Sequence, residues 1–440
     1  MHMQERRPIA LHTKIFIGLV LGATAGAIAQ SLAKQGTWFT KDQLEAFAKN
    51  YASPIGSIFL YLIFMIVVPL LMSALVLGVA EIGQARKFGR IGVRSLLLTI
   101  VLSGIAVVIG LVAVNVVRPG DQISGAQKPA LIARYRDPER AQKYLDDAKK
   151  TPEDPPLLGF IPKNPIKEIA RDGLLPFMFF ALMFGLALAA IEPERALPVK
   201  AFFDGVFAAS LKIIDWAMRL APYGVFFLIF AITAQFGLEL LKAVGIYAVL
   251  VLAALALHLF VVYPIVLKFI AKRDPVQFFR QIRTVMLTAF ATSSSNATLP
   301  IALETAQRDL GLPKDISSFV LTVGATANQN GTALFEGITI LFLAQMFGVD
   351  LTLLQQLQVM GLAIVAGIGT AGVPGGAWPF IASVLVMLKI PPEGIGLVFG
   401  IDRLLDMSRT VLNVTGDLTI AAAVSAMEGE TEHEVAPSFA

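Results

Sequence analysis

Near its C-terminus the chain reads GIDRLLDMSRTVLNVTGDLT, which sets Asp402, Asp406, Arg409, Asn413 and Asp417 at i, i+4, i+7, i+11 and i+15. At the angular step of an α-helix these five fall within an arc of roughly 80°. Leu404, Leu405, Met407, Val411, Leu412 and Val414 lie between them. One polar stripe therefore runs down an otherwise apolar helix. Arg409 offers a planar fork of donors that matches a carboxylate. Asp406, one turn earlier, can accept hydrogen bonds from an ammonium group, and Asn413, one turn later, can donate to a second carboxylate. That order fits an acidic amino acid. Mutual pairing of Asp406 with Arg409 is the plainer alternative, and it leaves Asn413 unexplained.

A second polar cluster, ATANQNGTALFEG, runs from Ala325 to Gly337 and carries Asn328, Gln329, Asn330, Thr332 and Glu336. Two breaks in apolar runs accompany it: TSSSNATLP around Ser293–Pro300, and GIGTAGVPGG around Gly367–Gly376. Freed backbone N–H groups near Ser294, Ser295 and Asn296 can hold an anion, as helix N-termini do. Freed carbonyls around Gly324, Thr326, Gly367 and Thr370 can hold a cation. For the serine run, close helix packing by small residues accounts for the composition equally well. Nucleophilic chemistry is disfavoured: the chain has no cysteine, and its four histidines (His2, His12, His258 and His433) all lie far from the serines in sequence. His258 stands alone in an apolar span and reads more readily as a packed core residue than as a proton relay.

The elements that carry these groups belong in a membrane. Of 440 residues, 56% are hydrophobic and 15% charged, against about 25% charged in ordinary soluble domains; the mean hydropathy is +0.70. The net charge of +4 is too small to suggest nucleic acid. Apolar runs cover 12–34, 53–83, 88–118, 157–193, 199–236 and 238–271, and the first reads as a span rather than a cleaved signal because it is long and many spans follow. Arg6, Arg7 and Lys14, then Arg86, Lys87, Arg90 and Arg94, then Lys268, Lys272, Arg273, Arg280 and Arg283 mark alternate ends, which the positive-inside rule makes cytoplasmic, with the N-terminus inside. The long polar segment 119–156 then falls outside. Beyond 275 the pattern becomes twofold: a broken apolar pair, then a full-length segment with a polar cluster (315–345), and the same again (392–428). Paired interrupted segments point to a transporter's midplane site, and non-helical backbone survives at that depth only when buried in protein or lining a cavity.

In order and spacing, TSSSNATLP, GATANQNGTALFEG, GIGTAGVPGG and DRLLDMSRTVLNVTGD resemble the signatures of the glutamate transporter family, the dicarboxylate/amino acid:cation symporters that include the excitatory amino acid transporters. The resemblance covers nearly the whole chain. It implies an all-α polytopic membrane protein, a homotrimer in the cell inner (plasma) membrane, with eight transmembrane helices, two re-entrant helical hairpins, inverted repeats and an elevator mechanism. A scaffold would comprise helices one and two (12–83) and four and five (157–236), with 119–156 an extracellular loop and 429–440 a cytoplasmic tail. The transport domain would comprise helix three (88–118) and 238–428: helix six, hairpin one at 275–308, helix seven at 315–345, hairpin two at 351–389 and helix eight at 392–428. By motif, Arg409 would take the substrate side-chain carboxylate, Asp406 its amino group, Asn413 with Ser294 and Ser295 the main-chain carboxylate, and Thr332 would assist at the side chain. The tip near Val373–Gly375 would be the outer gate. Asp417, Gly324, Asn328 and Asn413 would hold sodium, with Thr326 and Thr370 at a related ion position. No cofactor is implied beyond a coupling ion, H+ or Na+.

Carriers restricted to C4-dicarboxylates tend to lack an acid like Asp406, and neutral amino acid carriers lack the arginine; both are present, so the resemblance implies L-aspartate or L-glutamate, with a C4-dicarboxylate as the alternative. Three departures bear on selectivity and coupling. An arginine that amino acid carriers place near Asp406 is missing, with Ser293 and Met407 at its two usual positions; Arg403 is placed to compensate in part. Where the family reads Asn-Met-Asp-Gly-Thr, this chain reads Asn328-Gln329-Asn330-Gly331-Thr332, and Thr99 and Leu102 replace a Tyr and a Thr of the same sodium site, while Ser103 matches. Amides bind a hard cation more weakly than carboxylates, so one sodium site is expected to be degraded. Glu336 resembles a glutamate assigned to proton and potassium coupling in animal members. The resulting expectation is a proton-linked symporter with reduced or no sodium dependence; an anion-conducting channel is the alternative of a different class.

Overall fold

A computed structural model of the chain describes residues 11–36, 38–85, 89–122, 161–170, 174–237, 239–369 and 375–429, and among these there is no β-strand. The helices follow in order: α1 (Leu11–Gln35), α2 (Lys41–Phe47), α3 (Ser53–Met65), α4 (Val67–Ala85) and α5 (Arg90–Val117). After 123–160 come α6 (Pro165–Ala170), α7 (Leu174–Ala190), α8 (Pro193–Phe236) and α9 (Glu239–Leu257). A π turn, His258–Val262, joins α9 to α10 (Tyr263–Phe269), followed by α11 (Pro275–Gln281), α12 (Arg283–Thr292) and α13 (Ser295–Arg308). The last part holds α14 (Lys314–Ala327), α15 (Asn330–Met346), α16 (Leu353–Gly369), α17 (Trp378–Met387) and α18 (Ile395–Glu428).

Six stretches among the described residues are long and apolar enough to cross a membrane: Thr13–Gln35, Lys41–Ala80, Arg90–Gln122, Pro193–Gln235, Leu240–Phe269 and Pro392–Glu428. The expected seventh helix is not one rod. It divides at Asn328 and Gln329 into α14 and α15, because neither residue holds helical φ/ψ (−113°, 76° and −107°, 56°). The α7 segment has 17 residues, just short of a span by itself. The second expected span divides at Ile66 into α3 and α4. The polar loop falls largely outside the described residues, as do the N-terminal arginines and the tip of the second break.

Two kinds of packing build the molecule. Along α1, Gly18, Gly22 and Gly26 recur every four residues and meet α8 backbone; a Cβ on Gly22 would lie 2.5 Å from the Phe226 carbonyl oxygen and one on Gly26 2.8 Å from that of Phe230, while one on Gly18 would collide with that of Pro222. Small residues thus let the two backbones touch, the usual device where lipid supplies no hydrophobic drive between helices. At the other extreme, every residue of α15 from Asn330 to Met346 is buried. A helix apolar or buried on all sides needs neighbours all round, and α5, α16 and α18 provide them. The breaks at 293–294 and 328–329 lie against α18, where its polar stripe runs.

Candidate functional site

The stripe on α18 is buried. Arg409 is 2% exposed and its guanidinium pairs with Asp406 Oδ1 at 2.8 Å and Asp402 Oδ1 at 3.1 Å. One face lies over the Phe335 ring, with 4.2 Å between Cζ and the ring centroid. Asp402 Oδ2 accepts from the Trp378 indole N–H at 2.8 Å. The second oxygen of Asp406 faces Arg403 at 3.8 Å. The mutual pairing of Asp406 with Arg409 that the spacing allowed is present, but Asp402 completes it. With Arg403 counted, two carboxylates and two guanidinium groups balance in formal charge.

One turn further on, Asn413 bridges the helix break. Its amide N–H donates to Gln329 Oε1 at 2.5 Å and to Thr332 Oγ1 at 3.2 Å, while its oxygen accepts from Gly331 N–H at 2.7 Å. Gly331 permits this approach, since a Cβ there would stand 2.7 Å from the Arg409 carbonyl oxygen. Gln329 thereby joins Asn413 and Thr332, and its own amide returns to the Ala325 carbonyl at 3.0 Å. Asp417 lies a turn below: its Oδ1 accepts from Asn328 Nδ2 at 2.7 Å, and it packs directly against Gly324. Asn328 Oδ1 is buried without a hydrogen-bond partner among the described residues. A crevice lined by Ser95, Thr99, Val323, Gly324, Asn328 and Asp417 opens beside this pair.

Asn330 points away from both groups. Its oxygen accepts from Ser103 Oγ at 2.5 Å, its NH2 donates to Tyr263 Oη at 3.1 Å, and Tyr263 passes its own proton to the Leu412 carbonyl at 3.0 Å. Ser103, Asn330, Tyr263 and the Leu412 carbonyl thus form one hydrogen-bonded chain. His258, fully buried, sets its ring edge-on to Tyr263 at 4.8 Å, and neither ring nitrogen has a hydrogen-bond partner among the described residues. Glu336 is fully buried one turn beyond Thr332, and among the described residues neither of its oxygens has a hydrogen-bond partner. A carboxyl without a charge-matching neighbour at hydrogen-bond distance is a group suited to carrying a proton, since burying it ionised is costly.

At the first break, Ser293 takes the left-handed conformation (φ 52°), and Ser294 caps α13, accepting from Ala297 N–H at 3.2 Å. Ser295 Oγ is buried without a hydrogen-bond partner among the described residues. Thr326 Oγ1 donates to the Val323 carbonyl at 3.0 Å. At the second break, Thr370 and Val373 lie outside the described residues; Gly375 (φ 81°) is closest to Ile214 and Met218 of α8, and Gly367 packs near Gln329. Sequence reasoning missed Tyr263, Phe335 and Trp378, aromatics in apolar segments with nothing to mark them. It placed Asp402 on the stripe and gave it no role.

A profile of the Sodium:dicarboxylate symporter family matches residues 11–427. The chain is 36% identical over 427 residues to the proton/sodium-glutamate symport protein of Bacillus subtilis (strain 168), covering 97% of this chain and 94% of that one. It is 30% identical over 432 residues to the proton/glutamate-aspartate symporter of Escherichia coli (strain K12), covering 98% and 95%. A C4-dicarboxylate transport protein of Anaeromyxobacter sp. (strain K) is 29% identical over 434 residues, covering 97% and 92%.

Proposed function

Because the chain belongs to the sodium:dicarboxylate symporter family, we propose that it is a secondary active symporter for acidic amino acids, L-aspartate or L-glutamate. The observation that carries this reading is the buried Asp406–Arg409–Asn413 constellation. An entering ligand exchanges the Asp406–Arg409 pair for two pairs of its own: side-chain carboxylate on the guanidinium, ammonium on Asp406. Its main-chain carboxylate meets the Asn413 amide and the first turn of α13, where the Ser295 hydroxyl has no hydrogen-bond partner among the described residues. Such charge-assisted contacts, made out of water, are the strong ones.

Electrostatics explains why transport must be coupled. Together with Arg403, the Asp402–Asp406–Arg409 group is balanced in formal charge, so an acidic amino acid brings a net negative charge with it. Charge held near a bilayer centre is costly, so cations must travel too. In our reading a proton on Glu336 supplies one, and sodium between Asp417, Gly324 and Asn328 supplies another at most. The Asn330 amide supports reduced sodium dependence, since its donor occupies the position of an acceptor. We further propose a homotrimer in the cell inner membrane with the N-terminus cytoplasmic. Each protomer has eight crossings, counting α6–α7 and α14–α15. Two re-entrant hairpins, α11–α13 and α16–α17, ride in a domain that slides as an elevator. The polar pocket formed by α13, α15 and α18 supports the moving part, and the glycine seam of α1 with α8 supports the fixed part.

Labelled aspartate uptake into proteoliposomes, under separately imposed sodium and pH gradients, tests the reading. Accumulation driven by a proton gradient is expected. Strict sodium dependence without a pH response overturns the coupling, and flux that only dissipates a gradient overturns the carrier in favour of a channel. One observation favours a second reading, a C4-dicarboxylate symporter: Arg403 lies 3.8 Å from Asp406 and draws that carboxylate away from an ammonium.

A further inference from the structure

We propose that Trp378 is a positioning residue which, through Asp402, holds the Arg409 guanidinium for a substrate carboxylate and ties the α17 arm to its occupancy. The inference rests on the reading of Arg409 as the carboxylate-binding group.

A guanidinium left loose among apolar neighbours costs several kcal/mol, and a guanidinium clamped on all sides has nothing to offer a ligand. Here the load is divided. Asp406, at 2.8 Å, is the partner that an ammonium-bearing ligand draws off. Asp402, at 3.1 Å, remains, and it shares its charge, with the Trp378 indole N–H bound to its other oxygen at 2.8 Å. Donating to that oxygen lowers the claim of Asp402 on the arginine, so the fork can turn toward a third carboxylate.

The same indole reaches Arg409 by a second route. Its ring meets the edge of Phe335 (centroids 5.6 Å apart, 87° between planes), and Phe335 carries the guanidinium on its face. The ring of Phe399 closes the far side at 5.2 Å. Trp378 is the first residue of α17, beginning three residues after Gly375. A change in how tightly Arg409 holds Asp402 is therefore felt at the start of the arm that follows the second break. Trp378 acts on the ligand only through Asp402 and Phe335, which separates it from the binding residues.

Two measurements decide the matter. Trp378→Phe keeps the ring and removes the N–H; the apparent KM for aspartate should rise roughly tenfold, the scale of one lost charge-assisted hydrogen bond, with the maximal rate nearly unchanged. Because the effect passes through the arginine, affinity for succinate should fall by the same factor, and the loss should vanish in an Asp402→Ala background. A purely packing role predicts additive losses instead. Should those variants fail to fold, the chain's own tryptophans provide the second test. Trp38 and Trp216 are exposed (84% and 56%) while Trp378 is buried (1%), so Trp38→Phe/Trp216→Phe leaves a single reporter with uptake intact. Its emission should shift saturably as aspartate or succinate binds. Unchanged emission at saturating aspartate, in protein that accumulates aspartate, overturns the proposal. If the unmodified protein shows no uptake or binding of either acid, the underlying reading of Arg409 fails instead.

Discussion

Two helix contacts in this molecule are equally intimate and chemically opposite. Between α1 and α8, three glycines in register bring backbone against backbone, with Thr233 beside Gly26 and Gln30 reaching the Gln235 carbonyl near the end of the seam. Between α15 and α18, Gly331 achieves the same closeness, but Asn413, Gln329 and Thr332 fill the seam with hydrogen bonds. The first contact is satisfied mainly by shape. The second is satisfied by exchangeable partners, each of which can be traded for a group on a ligand. Closeness by itself signals packing; closeness with tradeable partners signals a site.

The largest break in this comparison should come from Asp406→Asn. Removing one member of a buried charge pair costs a few kcal/mol, so aspartate uptake should fall roughly 100-fold. Succinate or malate uptake should change far less, because no ammonium is involved; equal losses would argue against the ammonium role. Next, Glu336→Gln makes the carboxyl permanently neutral. Uptake driven by a pH gradient should disappear while exchange of internal for external aspartate persists, and a surviving pH response would remove Glu336 from the coupling. A gain should follow from Asn330→Asp with Gln329→Met, which returns an acceptor beside Ser103 and Tyr263: sodium should then tighten aspartate binding by about tenfold, in line with the preference of hard cations for charged oxygens. The smallest functional effect belongs to the apolar seam. Gly22→Ala should lower thermal stability by about 1–3 kcal/mol through overpacking and leave the aspartate Kd of the folded protein unaltered.

How much of this was legible in the sequence depends on contrast. The stripe on α18 stood out because five polar residues of helical spacing interrupt an apolar background. The break at Asn328–Gln329 was visible as polarity, yet not as a division into two helices, since neither residue is a breaker like proline or glycine. Tyr263, Phe335 and Trp378 were invisible for the reverse reason: aromatics in a membrane segment look like packing until tertiary structure supplies Asn330, Arg409 and Asp402 as their partners. Gln329 was grouped with the ion-side amides by adjacency, whereas its side chain turns to Asn413.

The interruption at Asn328–Gln329 also has an electrical meaning. There α14 ends and α15 begins, so the carbonyl pole of one helix and the amide pole of the next meet within a single dipeptide. Each pole carries about half an elementary charge of opposite sign. The electrostatic potential therefore changes sign over a few ångströms, favouring a cation beside Gly324 and Ala325 and an anion beside Gly331. Neither Asn328 nor Gln329 bears a charge, yet the pair marks a boundary that sorts charges by sign, with Asp417 on one side and Asn413 on the other.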